Sequence, residues 1–106
     1  MSKHNFNWEG FLKFLAQIYP KLRKRKEFRS DKQYKAYLKS MLKTLGVTEH
    51  KLFSCDNGDL HQWRYKLIDL PLKERKDVHY RDSILTALQA FHLFFKFLNG
   101  DIILKP

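Results

Sequence analysis

The sequence YRDSILTALQAFHLFFKFL, residues 80–98, repeats apolar side chains at steps of three and four residues. This spacing predicts an α-helix. The apolar stripe consists of Ile84, Leu88, Phe91, Phe95 and Leu98, and it is widened by Leu85, Ala87 and Phe94. A face this broad is typical of a helix buried on several sides. We therefore predict a long central helix that stops at Asn99-Gly100.

Three further helices are predicted upstream, over about residues 8–19, 30–45 and 58–69. Asn7 is a suitable N-cap for the first of them, and Pro20 follows its end. Ser30 and Gln33 form a capping-box pattern, and Gly46 can close the second helix in a left-handed conformation. Thr48 can cap a short turn, residues 56–59 predict the start of the third helix, and residues 71–78 predict a charged connector. The predicted fold is all-α, a compact bundle of four helices in a single domain spanning residues 1–106.

The composition is consistent with this fold. The chain has 106 residues, of which 43% are hydrophobic, enough for one packed core. With 4 glycines and 3 prolines it is poor in the turn residues that all-β domains need. The single cysteine, Cys55, allows no internal disulfide, which favours a cytoplasmic location. No run of 18 apolar residues and no apolar N-terminal signal core is present, so no membrane span is expected, and a membrane is not among the favoured partners.

The charge balance indicates the class of partner. Lysine and arginine number 21 against 11 acids, giving a net charge of +10. Such an excess favours a polyanion as partner, first nucleic acid, with an anionic membrane surface and an acidic protein as further candidates. A basic run precedes the second predicted helix, and we include six of its residues in the predicted nucleic-acid-binding surface: Lys21, Arg23, Lys24, Arg25, Lys26 and Arg29.

The second predicted helix extends this surface with four lysines, and residues 32–45 contain no acidic residue. Lys32, Lys35, Lys39 and Lys43 fall within an arc of roughly 80°, opposite an apolar face. Like charges four residues apart cost an isolated helix a few tenths of a kcal/mol. The arrangement suits a face that contacts phosphates, since lysines bind them as point charges. The alternative is a solvated face whose long side chains cover the edge of the core.

A second basic group lies later in the chain, where acids are interleaved and local ion pairing explains it nearly as well. Its members in the predicted surface are Arg64, Arg75, Lys76 and Arg81. Tyr65 and Tyr80 fall outside the apolar stripes and are candidates for stacking on a base. Seven other aromatic residues sit at helical core spacing: Trp8, Phe11, Phe14, Tyr34, Trp63, Phe91 and Phe95.

Patterns that would indicate catalysis or metal binding are weak. Glu74-Arg75-Lys76 with Asp69 upstream matches half of a metal-dependent nuclease motif, but its strand scaffold is not predicted. Arg75 and His79 are spaced more closely than in helical ribonucleases. His50, Cys55 and His61 do not have zinc-site spacing. We therefore predict no catalytic residue, no metal and no cofactor.

Residues 83–98, read after Tyr34, Leu38 and Leu42 on one helix and Leu60 and Trp63 on another, resemble the helical core-binding domain of tyrosine recombinases (phage integrases). Similar sequence patterns occur in helical modules of restriction-type nucleases. The resemblance spans about residues 8–98 and implies a four-helix bundle that clamps DNA through backbone phosphates. It would assign Lys32, Lys35, Lys39, Lys43 and Arg81 to the DNA face. The recombinases' Arg-His-x-x-Arg box and tyrosine nucleophile are not matched in these 106 residues.

These observations predict a non-enzymatic nucleic-acid-binding accessory protein of a prokaryotic or phage setting, with DNA favoured over RNA. One alternative is a protein-binding module or inhibitor that occupies an acidic or nucleic-acid-binding groove of a partner. A third is a ribonuclease toxin.

Overall fold

The computed structural model describes residues 6–22, 31–71 and 75–101. In these ranges the chain forms helices and no strand, so the all-α prediction is confirmed. The helices are α1 (Trp8–Gln17), α2 (Tyr19–Leu22), α3 (Asp31–Leu45), α4 (Glu49–Leu52), α5 (Asn57–Ile68) and α6 (Arg75–Leu98). Those of ten or more residues are α1, α3, α5 and α6.

Helix α6 lies at the centre of the bundle, as its broad apolar face predicts. Helices α1, α3 and α5 all pack against it, and α1 also packs against α3. Phe91 is fully buried. Its ring centroid lies 5.4 Å from that of Phe11 and 5.7 Å from that of Phe53, with Phe6 at 5.5 Å. Aromatic rings from three parts of the chain therefore meet around one position of α6.

Several predicted helix signals are present in the structure. The Asn7 side chain accepts a hydrogen bond from the Gly10 backbone N–H at 2.8 Å and caps α1. Thr48 caps α4 in the same way, through the N–H of Lys51. Gly46 has a φ of +68°, the left-handed value that glycine adopts without steric cost. Ser30, the predicted cap of α3, lies outside the described residues.

Two predicted boundaries were wrong. Helix α6 begins at Arg75, so residues 75–78 are helical and not connector. Its first turn needs no apolar residue, because Arg and Lys favour helix and Asp77 complements the positive end of the helix dipole. The first helix ends at Gln17, and Pro20 lies inside the short helix α2 instead of after a helix. Proline fits there because the first turn of a helix leaves its N–H groups unpaired.

Helix α5 runs antiparallel to α6. At its start, the His92 ring is hydrogen-bonded to Asn57, and at its end Arg81 Nη1 donates to the Ile68 carbonyl at 3.2 Å. Asp56 and Asp59 form a capping box, each carboxylate accepting from the other's backbone N–H at 2.8 and 3.1 Å. The cap and the two contacts to α6 hold α5 along one edge of the central helix.

Candidate nucleic-acid interface

Helix α3 separates its apolar and basic residues onto two faces. Leu38 and Met41 are fully buried, and Tyr34 and Leu42 are nearly so. Lys32, Lys39 and Lys43 are exposed on the other side. These three residues are called the lysine face below. It arises because α3 buries its apolar side against α6 and α1, which leaves the opposite side to solvent.

The lysine face forms no ion pair with a described carboxylate. The ion pairs of the described chain lie elsewhere: Glu9 with Lys13, Asp59 with Lys51, and Asp82 with Arg81. The Lys51 contact raises the pKa of that ammonium, chiefly through its hydrogen bond to the Asp59 carboxylate. Asp59 therefore compensates the positive charge of Lys51, whereas the charges of the lysine face are available to an external anion.

Lys35, the fourth lysine predicted for this surface, has a different environment. It is partly buried, and its Nζ lies 5.4 Å from the centroid of the Trp8 ring. A cation over an indole face is stabilised by about 0.5–1 kcal/mol at an exposed site. The Trp8 Nε1–H in turn donates to Glu49 Oε1 at 3.1 Å. Lys35 therefore helps to join α3 to α1 and is the least available of the four.

The remaining residues of the predicted surface are distributed as follows. Lys21 is exposed on α2 and Arg64 is exposed on α5. Arg75 and Lys76 lie in the first turn of α6, but their side chains fall outside the described part of the chain. Arg23, Lys24, Arg25, Lys26 and Arg29 also lie outside it, so their predicted role stays a prediction.

Arg81 is engaged within the fold. Its Nη1 donates to the Ile68 carbonyl, and its Nε lies 3.6 Å from the Asp82 carboxylate. The acceptor is one of the last carbonyls of α5, which have no partner inside their own helix. Arg81 therefore has a positioning role between α5 and α6. A phosphate contacting Arg81, as predicted, would share the guanidinium with the Ile68 carbonyl and the Asp82 carboxylate.

The two tyrosines outside the apolar stripes differ in their surroundings. Tyr80 is 48% exposed, but its hydroxyl donates to Ser40 and its ring meets that of Tyr37 edge-on at 6.1 Å. It joins α6 to α3. Tyr65 is 68% exposed, the highest fraction among the large apolar side chains of the described residues. Tyr65 therefore remains the stronger candidate for base stacking.

The candidate chemical motifs do not assemble into a site within the described residues. No three His, Cys, Asp or Glu side chains converge there as metal ligands would, so His50, Cys55 and His61 form no metal cluster. Cys55 is buried. Glu74 of the nuclease-like motif lies outside the described residues. Of the Arg75 and His79 pair, His79 is exposed and the Arg75 side chain is not among those described.

Sequence reasoning missed a cluster between α5 and α6. The His61 and His92 rings meet edge-on with centroids 5.2 Å apart, and His92 Nε2 lies 2.6 Å from Asn57 Oδ1. Because an amide oxygen only accepts, the Nε2–H of His92 is the donor in this contact. The partners of His92 are 31 and 35 residues away in sequence, so no local pattern indicated them.

His92 is neutral at physiological pH. Partial burial, followed by the charges of Lys96, His61 and Arg64, lowers its pKa from 6.5 to about 4. Burial disfavours the imidazolium because it removes water, and the neighbouring positive charges disfavour it by repulsion. The five residues Asn57, His61, Arg64, His92 and Lys96 are called the histidine cluster below.

The protonation of His92 predicts a stability difference in acid. Between pH 6.5 and about 4 the unfolded chain binds a proton at His92 that the folded chain does not, so the free energy of unfolding falls as the pH falls. The ring is partly exposed, so we expect about 1–2 kcal/mol after allowing for solvent screening. Urea unfolding at pH 7 and pH 4.5 should show this extra loss in the wild type and not in His92→Gln. Parallel losses in the two proteins would contradict it.

The chain has no significant match to a protein-family model, to a curated protein or to a solved structure. Among the helices of the described residues, none combines the length and apolar character needed to span a bilayer.

Proposed function

We propose that this protein is a non-enzymatic nucleic-acid-binding accessory protein, with DNA favoured over RNA, that docks its lysine face on the phosphate backbone. The observation that carries the proposal is the exposure of Lys32, Lys39 and Lys43 on one side of α3 without an ion pair to any carboxylate that the structure describes. A single cysteine and a reducing, cytoplasmic setting are part of the same proposal. The resemblance to the core-binding domain of tyrosine recombinases supports the same proposal.

The mechanism is electrostatic. At 1.5 Å per residue, the lysine face extends about 16 Å along α3, comparable with the rise of about five nucleotides along the duplex axis. Each phosphate that a lysine neutralises releases condensed counterions, and this release drives association. A lysine ammonium is a point charge and lacks the rigid planar fork with which arginine makes bidentate contacts. The lysine face therefore favours binding that is largely independent of sequence.

Fluorescence anisotropy with labelled duplex DNA tests this function. We expect the affinity of the wild type to fall linearly with salt on a double-logarithmic plot, with a slope of about −3 or steeper because three or more phosphates are neutralised. Single-stranded DNA and RNA of the same sequence, titrated in parallel, decide which nucleic acid is preferred. Absence of binding to all three at low salt would refute the function.

The alternative partner is an acidic protein that contacts the same lysine face. A pull-down from a lysate treated with nuclease distinguishes binding to nucleic acid from direct binding to an acidic protein. A nucleic-acid-mediated partner is lost on treatment, whereas an acidic protein bound directly is retained.

A further inference from the structure

The histidine cluster has the composition of an anion site. Arg64 follows His61 by three residues on α5, and Lys96 follows His92 by four on α6, so each helix contributes a histidine and a permanent cation to the same edge. Arg64 and Lys96 form no ion pair with any described carboxylate. Both cations are thus left without an ion-pairing carboxylate among the described residues.

The same charges argue against a metal ion. Two imidazoles at this separation could begin a cation site, but Arg64 and Lys96 would repel the cation. Within the described residues no third metal-ligating side chain joins them. An anion faces the opposite balance, because its charge is complemented by both cations.

We infer that the histidine cluster binds a phosphate group at the edge where α5 packs against α6. Arg64 and Lys96 supply the permanent charge. His61 is exposed and its ring can donate a hydrogen bond to the anion, while the neighbouring His92 ring is held in place by Asn57. No residue of α3 belongs to this site, so it is independent of the lysine face.

The phosphate group has two sources, a nucleic-acid strand or a small phosphate compound. Tyr65 bears on this choice, because it follows His61 by four residues and therefore lies on the same side of α5. Its ring is 68% exposed, which leaves its face open to a base attached to the bound phosphate. Both sources place the same phosphate chemistry against Arg64 and the two histidines.

NMR titration of the histidine ring signals with inorganic phosphate, against chloride at equal ionic strength, tests the site. We expect saturable shifts of the His61 and His92 signals. Bound phosphate should raise the pKa of His92 by about one unit, which corresponds to about tenfold tighter binding to the protonated form. Absence of saturable shifts would overturn the inference.

A matched pair of variants gives the specificity control. Arg64→Gln should weaken phosphate binding about fivefold or more, because it removes one cation of the cluster. Lys66→Gln makes the same charge change on the exposed, opposite side of α5 and should leave binding within about twofold. Equal weakening by the two variants would show a general charge effect and refute a defined site.

A short oligodeoxythymidylate then identifies the source. If it shifts the same ring signals and competes with phosphate, the phosphate belongs to a strand, and Tyr65→Ala should weaken the oligonucleotide but not inorganic phosphate. If it does neither while phosphate binds, the ligand is a small phosphate compound. Phosphate titration of a variant lacking the lysine face should match the wild type, so failure of the proposed function and failure of this site are distinguishable.

Discussion

Replacing the lysine face by glutamine, in the triple variant Lys32→Gln, Lys39→Gln, Lys43→Gln, is expected to weaken nucleic-acid binding about 10- to 100-fold at low salt. The slope of log affinity against log salt should become shallower by about 2.7, or about 0.9 for each lost phosphate contact on a duplex. The effect should be similar on unrelated sequences, because backbone contacts carry no base information. Anisotropy titrations at several salt concentrations measure both quantities.

The control for this variant changes the same charge at other sites. Lys13, Lys51 and Lys66 are exposed lysines outside α3, and Lys13 and Lys51 already face Glu9 and Asp59. Their triple replacement by glutamine also lowers the net charge from +10 to +7, because three lysines are lost. We expect it to weaken binding only slightly. If the control weakened binding as much as the lysine-face variant, net charge and not a defined surface would drive association.

Phe91→Ala is expected to destabilise the protein by about 3–5 kcal/mol. Phe91 is fully buried, and its ring lies within 5.9 Å, centroid to centroid, of the rings of Phe6, Phe11, Phe53 and Phe94. Its removal leaves a cavity that these rings cannot fill together. A domain of this size has about 5–15 kcal/mol of total stability, so the loss should be evident in urea unfolding.

Two companion variants make this prediction decisive. Phe97→Ala makes the same substitution on α6 at a partly buried site, where Phe14 is the contacting ring at 5.6 Å, and should cost clearly less. Phe91→Leu keeps most of the volume and should cost less than about 1.5 kcal/mol, so it remains measurable if the alanine variant fails to fold. Equal losses for the two alanine variants would refute a central role for Phe91.

The fold could be predicted because each long helix carries its own periodic signal. The stripe from Ile84 to Leu98 indicated a helix buried on several sides, and in the structure α1, α3 and α5 pack against it. The N-cap at Asn7 and the left-handed glycine at position 46 were predictable because these signals involve only neighbouring residues. The predicted start of α6 was wrong because the prediction relied on apolar spacing, and a charged first turn without apolar residues resembles a connector.

The candidate surface likewise has features that the sequence predicted and features that it did not. The exposure of Lys32, Lys39 and Lys43 followed from helical periodicity, since residues opposite a buried stripe face solvent. The engagement of Arg81 with Ile68 did not, because that contact depends on how α5 lies along α6. The partial burial of Lys35 against Trp8 likewise depends on the packing of α1 beside α3.

The sequence by itself determined the helical class, the central position of α6 and the segregation of lysines on α3, because periodic burial is encoded locally. Only the tertiary structure brought His61 and Arg64 to His92 and Lys96, because the antiparallel packing of α5 on α6 joins residues about 30 positions apart in the chain. Contacts of that range have no periodic signature, and the physical environment of His92 is set by the neighbouring helix.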